Sequence, residues 1–260
     1  MIRHKVIALE ARLRDCRNVY TLGVRPNFSD YPEPDAEMIR SASKIYYPSA
    51  FYADLLDAMG IKTFPSYHTY KCVQDKIKQS ALFNLLNIPH PRTRVYYGPR
   101  QKGNIRSDFP FPFVGKIARG SSKGTGVFLI SNTQELDRYL EITSPAYIQS
   151  FIPAKRDIRV VVIGTTVVHA YWRIAGERDF RTNLARGGRI SLDSVPPEAL
   201  ELALETARKC RWNDVGIDII CRDGCYYVLE ANMKYGKEGF REAGIDYVHL
   251  METLIENEKI

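Results

Sequence analysis

The sequence predicts an α+β fold. Three observations carry this: short strand-like segments recur from Thr93 to Ala231, helical periodicities interrupt them only twice, and a smaller unit mixing strands and helices precedes them. With 45% apolar and 26% charged residues over 260 positions, the chain can bury a core, and its length suits one or two domains.

The first sixty residues hold strand-like pieces at His4 to Ala8 and Lys44 to Tyr47. A polar, proline-rich stretch from Asn27 to Pro34 lies between them, and a helix ends at Gly60, where glycine supplies the cap. A second helix carries Val73, Ile77, Ala81, Leu82 and Leu85 at helical spacing and stops before Pro89 and Pro91. Strands are then expected at Thr93 to Tyr97, Phe111 to Ile117, Val127 to Ile130, Ala146 to Phe151, Asp157 to Ile163, Thr166 to Arg173, Val215 to Cys221 and Tyr226 to Ala231. One intervening helix starts at Ser131, which forms a capping box with Gln134; another starts near Ser194 and Pro196 and runs to about Arg211. An amphipathic helix from Tyr247 closes the chain.

Composition excludes several classes. No apolar run approaches the roughly 18 to 20 residues that a membrane span needs, and the N-terminal stretch Val6 to Leu9 ends at Glu10, Arg12 and Arg14. The expectation is a soluble, unprocessed, cytoplasmic protein with no membrane partner. Five cysteines are too few for a disulfide framework, and no spacing matches a zinc site; Cys221 and Cys225 flank a turn and read as two small buried thiols. The formal charge of +7 fits either a diffuse surface excess or a site for anions. A nucleic-acid partner would rest on that charge alone, since no nucleic-acid motif accompanies it. His68, His90 and His169 read as structural, and the aromatics at Tyr46, Tyr47 and Tyr67 to Tyr70 as core or interface.

Three segments carry chemistry. The first is Phe113-Val114-Gly115-Lys116, a loop Ala118 to Gly126 rich in glycine and serine, and a strand from Val127. A glycine loop between antiparallel strands lets backbone N–H groups approach phosphates, and a lysine on the entering strand neutralises them. No helix follows in the Walker pattern, and read alone such a segment is more often a mobile turn than a nucleotide site.

The second is the hairpin Gly216 to Ile220 and Tyr227 to Asn232. Glu230 and Asn232 share a strand face; Asp218 joins them if the loop holds an odd number of residues, as a three-residue Arg222-Asp223-Gly224 loop would. Two carboxylates and an amide oxygen suit Mg²⁺ shared with phosphates, the alternative being a solvated polar face. The third is Asp179 to Arg189, whose arginines and Gly187-Gly188 can hold a carboxylate or phosphate.

Taken in order, these segments resemble the ATP-grasp superfamily, and within it the RimK-type glutamate ligases. The resemblance runs from about Ile61 to Leu254 through Asp75-Lys76, Phe113 to Lys116, Gly124-Thr125-Gly126-Val127, Gln149 to Ile152, Asp157 to Val160, Asp179 to Gly188, Gly216 to Ile219 and Leu229 to Asn232. It implies an ATP-grasp fold, two α+β subdomains (71–150 and 151–260) sandwiching ATP, behind a shortened N-terminal α/β unit over 1–70. It further implies that Lys76 and Lys116 contact ATP phosphates under the loop of Gly124, Gly126 and Val127. Ser150 and Phe151 would meet the adenine edge, Asp157 would lie by the ribose, and Arg181, Thr182 and Asn183 near the γ-phosphate. Asp218, Glu230 and Asn232 would hold two Mg²⁺ or Mn²⁺ ions, and Arg159, Arg173 and Arg186 the reacting groups.

The implied activity is an ATP-dependent carboxylate-amine ligase acting through an acyl phosphate. It would add an amino acid such as glutamate to a protein tail or small molecule, and homo-oligomers are compatible with it. The alternative is an ATP-binding module with reduced catalysis and a regulatory role. Three departures stand out: the short N-terminal unit, Tyr235 where a proline commonly precedes Gly236, and Ser150 in place of a usual Glu.

Overall fold

A computed structural model describes residues 5–118, 126–176, 182 and 187–260. Three sheets follow one another along the chain. The first is parallel, in order β2-β1-β3-β4, from β1 (Val6–Ala8), β2 (Val19–Thr21), β3 (Lys44–Tyr46) and β4 (Lys62–Phe64). Its helices are α1 (Glu33–Ser41) and α2 (Ala50–Ala58); Gly60, at φ +76°, turns the chain after α2 as expected. The polar, proline-rich stretch forms a 3-10 turn at Phe28–Asp30 and then opens α1, where Pro34 in the first helical turn has a preset φ and no N–H to waste.

The predicted second helix is two. α3 (Tyr67–Val73) and α4 (Lys76–Leu85) break at Asp75, whose carboxylate accepts from the Ile77 and Lys78 N–H groups as a new N-cap. Leu85, counted on the apolar face, is 79% exposed.

The second sheet, in order β5-β8-β6-β7, is antiparallel and contains β5 (Thr93–Tyr96), β6 (Phe113–Lys116), β7 (Val127–Ile130) and β8 (Ala146–Ser150). Two short helical turns, α5 (Pro99–Lys102) and α6 (Ile105–Asp108), bridge β5 and β6; α7 (Thr133–Glu141) follows β7. Its cap is Asn132, one residue beyond the expected Ser131: Asn132 Oδ1 accepts from Glu135 N, and Glu135 Oε2 accepts from Ser131 N. Gly115 leaves room for Tyr139 of α7, since a Cβ there would stand 2.9 Å from the ring. The Tyr139 hydroxyl then bonds the backbone of Lys116 and Tyr147.

The third sheet is antiparallel, in order β11-β10-β9-β12-β13, from β9 (Arg156–Ile163), β10 (Thr166–Ile174), β11 (Arg189–Ser191), β12 (Asp214–Arg222) and β13 (Cys225–Asn232). Alternation gives it two unlike faces. Ile158, Val160, Val162, Trp172, Ile217, Ile219 and Ala231 pack beneath α8 (Pro197–Cys210), which meets them with Ala199, Ala203 and Ala207. Each large side chain buried there contributes roughly 1.5–3 kcal/mol.

The other face is covered at one end by α9 (Glu238–Glu242) and α10 (Tyr247–Glu256), through Phe240, Tyr247 and Met251. Its remaining end carries charge. No helix among the described residues is long and apolar enough to cross a membrane.

Candidate active site

Register decides which side chains meet. β9 pairs Asp157 with Arg173 of β10 and Arg159 with Asp218 of β12; β12 pairs Asp218 with Glu230 and Gly216 with Asn232 of β13. All of these lie on one face of the third sheet. The hairpin reaches this arrangement differently from the sequence expectation. Arg222 pairs with Cys225, so the loop is the two-residue Asp223-Gly224, both at positive φ, and not a three-residue loop. Leu229 is an extra residue in β13, between the pairs Ile219–Val228 and Asp218–Glu230, and this bulge restores the parity that the short turn would spoil. Cys221 pairs with Tyr226, so Cys225 falls on the opposite face and is exposed, which corrects the reading of two buried thiols.

The charged side chains form a closed network. Arg173 donates to Asp157 from Nε at 2.8 Å and Nη2 at 2.6 Å, and the same Nη2 lies 2.9 Å from Asp218 Oδ2. Arg159 grips Asp218 with two nitrogens, Nε to Oδ1 and Nη2 to Oδ2. Thr182 donates to Asp157 at 2.6 Å. All five side chains are buried. Two acids and two guanidinium groups therefore balance one another out of water, and removing one partner from such a pair costs about 3–5 kcal/mol.

Glu230 lies apart from that exchange. Burial works to raise its carboxyl, yet Lys116, Lys76 and the Asn232 amide outweigh it and hold it at about 2. Asn232 Nδ2 donates to Glu230 Oε1 at 3.0 Å. Lys116 reaches this point from β6 of the second sheet, pointing off the face shared with Tyr147; its burial pushes the ammonium below its ordinary value, while Glu230 pulls it back. The second sheet's lysine and the third sheet's carboxylates thus face each other.

Asp218, Glu230 and Asn232 present hard oxygen donors, suited to a divalent cation shared with phosphate oxygens. Both Asp218 oxygens are engaged by arginine: Oδ2 faces both Arg159 and Arg173, while Oδ1 accepts from Arg159 alone and retains a lone pair. Among the described residues no group of three or more His, Cys, Asp or Glu could hold a metal. The donor set is two carboxylates and an amide, which leaves coordination positions open to a ligand.

One positioning residue escaped the sequence reading. Gln79 of α4 donates to the Val73 and Ala231 carbonyls at 2.7 and 2.9 Å and accepts from Ala231 N at 2.8 Å. It pins the edge of β13 between Glu230 and Asn232. The available signal was a polar residue on the inward face of a helix, one turn after Asp75. Ser150 continues β8, its N–H bonded to the Arg92 carbonyl at 2.9 Å, with Phe151 next in the chain and Val127 opening β7 beside Gly126. Gly124, Arg181, Asn183 and Arg186 lie outside the described residues.

A sequence model of the RimK-like ATP-grasp domain matches residues 73–255. The chain belongs to the RimK-like ATP-grasp family. As a RimK-like protein it is 31% identical over 191 residues to the ribosomal protein bS6–L-glutamate ligase of Escherichia coli, a match covering 70% of this chain and 63% of that protein. The match therefore spans less than two thirds of the curated relative's length. A RimK-domain ATP-grasp protein from Sphaerobacter thermophilus superposes with a TM-score of 0.71 at 16% identity, covering 96% of this chain and 98% of that one. The D-alanine–D-alanine ligase of Bacillus anthracis, solved with ATP, gives 0.70 at 15% identity, covering 98% and 97%. These two likenesses establish the ATP-grasp fold of this RimK-like chain.

Proposed function

We propose that the protein is an ATP- and Mg²⁺-dependent ligase that joins a carboxylate to an amine, adding an amino acid such as glutamate to a protein tail or small molecule. The observation that carries this reading is the buried Lys116 ammonium set against Glu230, with Asp218 and Asn232 on the same sheet face. A lysine from one sheet faces oxygen donors from another, a set of groups whose chemistry suits a metal-bound triphosphate. The 31% identity to a glutamate ligase supports the amino acid as the amine-bearing or carboxylate-bearing substrate.

In this reading residues 71–150 and 151–260 sandwich ATP, and 1–70 is a supporting unit. Lys76 and Lys116 hold phosphate oxygens, the Ser150–Phe151 backbone meets the adenine, and Asp157 lies by the ribose, steadied by Arg173 and Thr182. Asp218, Glu230 and Asn232 hold Mg²⁺ or Mn²⁺, which when bound neutralises charge on the phosphates. One substrate carboxylate oxygen attacks the γ-phosphorus and ADP leaves. The amine nitrogen then attacks the acyl carbon, inorganic phosphate departs with the C–O electron pair, and the amine gives up a proton. Arg159 and Arg173, already charged and immobilised, face the charge that builds on the transferring group; such preorganised donors are worth about 3–4 kcal/mol each.

Incubation with ATP, Mg²⁺ and a panel of amino acids and acidic acceptors tests this. Acceptor-dependent ADP release that disappears in Glu230→Ala is expected. Tight ATP binding with no turnover under any acceptor would favour a non-catalytic ATP-binding module instead.

A further inference from the structure

Arg12 stands outside the site just described, in the 3-10 turn Ala11–Leu13 between β1 and β2. Its guanidinium carbon lies 4.7 Å from the ring centre of Tyr235, 5.4 Å from Tyr247 and 5.6 Å from Tyr47, and its Nε donates to the Tyr247 hydroxyl at 3.0 Å. Behind the rings is Asp214, fully buried, which accepts from the hydroxyls of Tyr235 at 2.7 Å and Tyr47 at 2.9 Å. Among the described residues no lysine, arginine or histidine forms an ion pair with Asp214 within contact distance. Arg12 supplies positive charge across the aromatic faces, an arrangement that is stronger away from water.

Tyr235 connects this cluster to the charged face. Its hydroxyl is fixed by Asp214, while its carbonyl accepts from Arg159 Nη1 at 3.2 Å. Its Cβ lies over Gly216, where an added Cβ would come within 2.5 Å of it and 3.0 Å of Arg159 Cδ. Arg159 in turn holds both oxygens of Asp218. A continuous path of contacts therefore runs from the N-terminal sheet to Asp218. It passes through Tyr235, whose hydroxyl and carbonyl form the two ends of the link.

We propose that Arg12 and Tyr235 are positioning residues through which the N-terminal unit sets Arg159, and hence Asp218, for divalent-ion binding. The proposal rests on the assignment of Asp218 to the metal site. Lysine at position 12 keeps a charge but loses the planar group that spans three rings. Phenylalanine at 235 keeps ring and carbonyl but removes one of the two hydroxyl donors to Asp214.

The test is Mn²⁺ binding, read by electron paramagnetic resonance on the ATP-loaded full chain, for wild type, Arg12→Lys and Tyr235→Phe, with folding checked by circular dichroism. Both variants should fold and raise the Mn²⁺ dissociation constant by about fivefold, the size of effect carried by a contact network of this kind. In acceptor-dependent ADP release they should lower kcat while the KM for ATP stays near wild type. Folded variants that bind Mn²⁺ as wild type does would overturn the proposal and leave the metal site standing. A wild-type protein that binds no Mn²⁺ with ATP present would overturn both. Should the single variants not fold, the double variant Arg12→Met/Asp214→Asn, which removes the buried charge together with its partner, should fold and bind Mn²⁺ weakly; wild-type affinity there would equally overturn it.

Discussion

Glu230 lies directly opposite Asp218 across the terminal hairpin, and it does so because Leu229 is an extra residue in its strand. Without that bulge, the Asp223-Gly224 turn would place Leu229 opposite Asp218 and send Glu230 to the apolar face under α8. Deleting Leu229 therefore yields a regular hairpin in which Glu230 still meets Asp218. Mn²⁺ binding to the ATP-loaded protein should survive the deletion and vanish in Glu230→Ala. Loss of binding in both would show that the bulge does more than set parity.

Gly216→Ala should be among the most damaging small substitutions. The new methyl meets the Tyr235 Cβ and the Arg159 Cδ at once, and neither sits at the free end of a flexible chain. Overpacking of this kind costs about 1–3 kcal/mol. Urea denaturation should show that loss, together with weakened ATP-dependent Mn²⁺ binding, because Arg159 is the group displaced.

Gln79→Leu keeps the helix and the volume but removes the bonds to Ala231 and Val73. It leaves the edge backbone of β13 unpaired in a buried setting, at about 1–3 kcal/mol. Stability in urea should fall by that amount. Metal affinity should fall as well, since Glu230 and Asn232 flank the released residue.

His169 gives the fold a pH dependence. Burial lowers its pKa below the ordinary 6.5, partly offset by the bond between Nε2 and the Gly239 carbonyl at 2.9 Å. A depressed folded-state value means that the unfolded chain takes up the proton first, so stability is full above pH 6.5 and declines as the pH falls through and below it. His169→Gln should flatten that decline. Thermal midpoints at pH 8 and pH 5.5 check this, and an equal drop in both proteins would remove His169 as the cause.

In the third sheet, β9 and β12 were readable because they are long and alternate: apolar Ile158, Val160 and Ile217 interleave with Asp157, Arg159 and Asp218. Strands β2, β4 and β11, with three residues each, were missed, for three residues cannot display a period; β1 and β3, equally short, were legible only as parts of the longer strand-like runs His4 to Ala8 and Lys44 to Tyr47. The break at Asp75 was hidden because apolar residues keep helical spacing across it, and only a cap geometry reveals it. At the site, residue types and order announced Lys116, Asp218, Glu230 and Asn232. The bulge at Leu229 and the Tyr235 carbonyl were not legible, because register and backbone groups leave no mark on composition.

In the proposed reaction this charged face transfers the γ-phosphoryl group of ATP to a carboxylate. Trapping with hydroxylamine under single-turnover conditions, with amino acids and acidic acceptors offered as the carboxylate, tests it most directly. The wild-type protein should form a hydroxamate in equal amount to ADP, and Glu230→Ala should form none. ATP that binds tightly yet yields no hydroxamate with any carboxylate would contradict it.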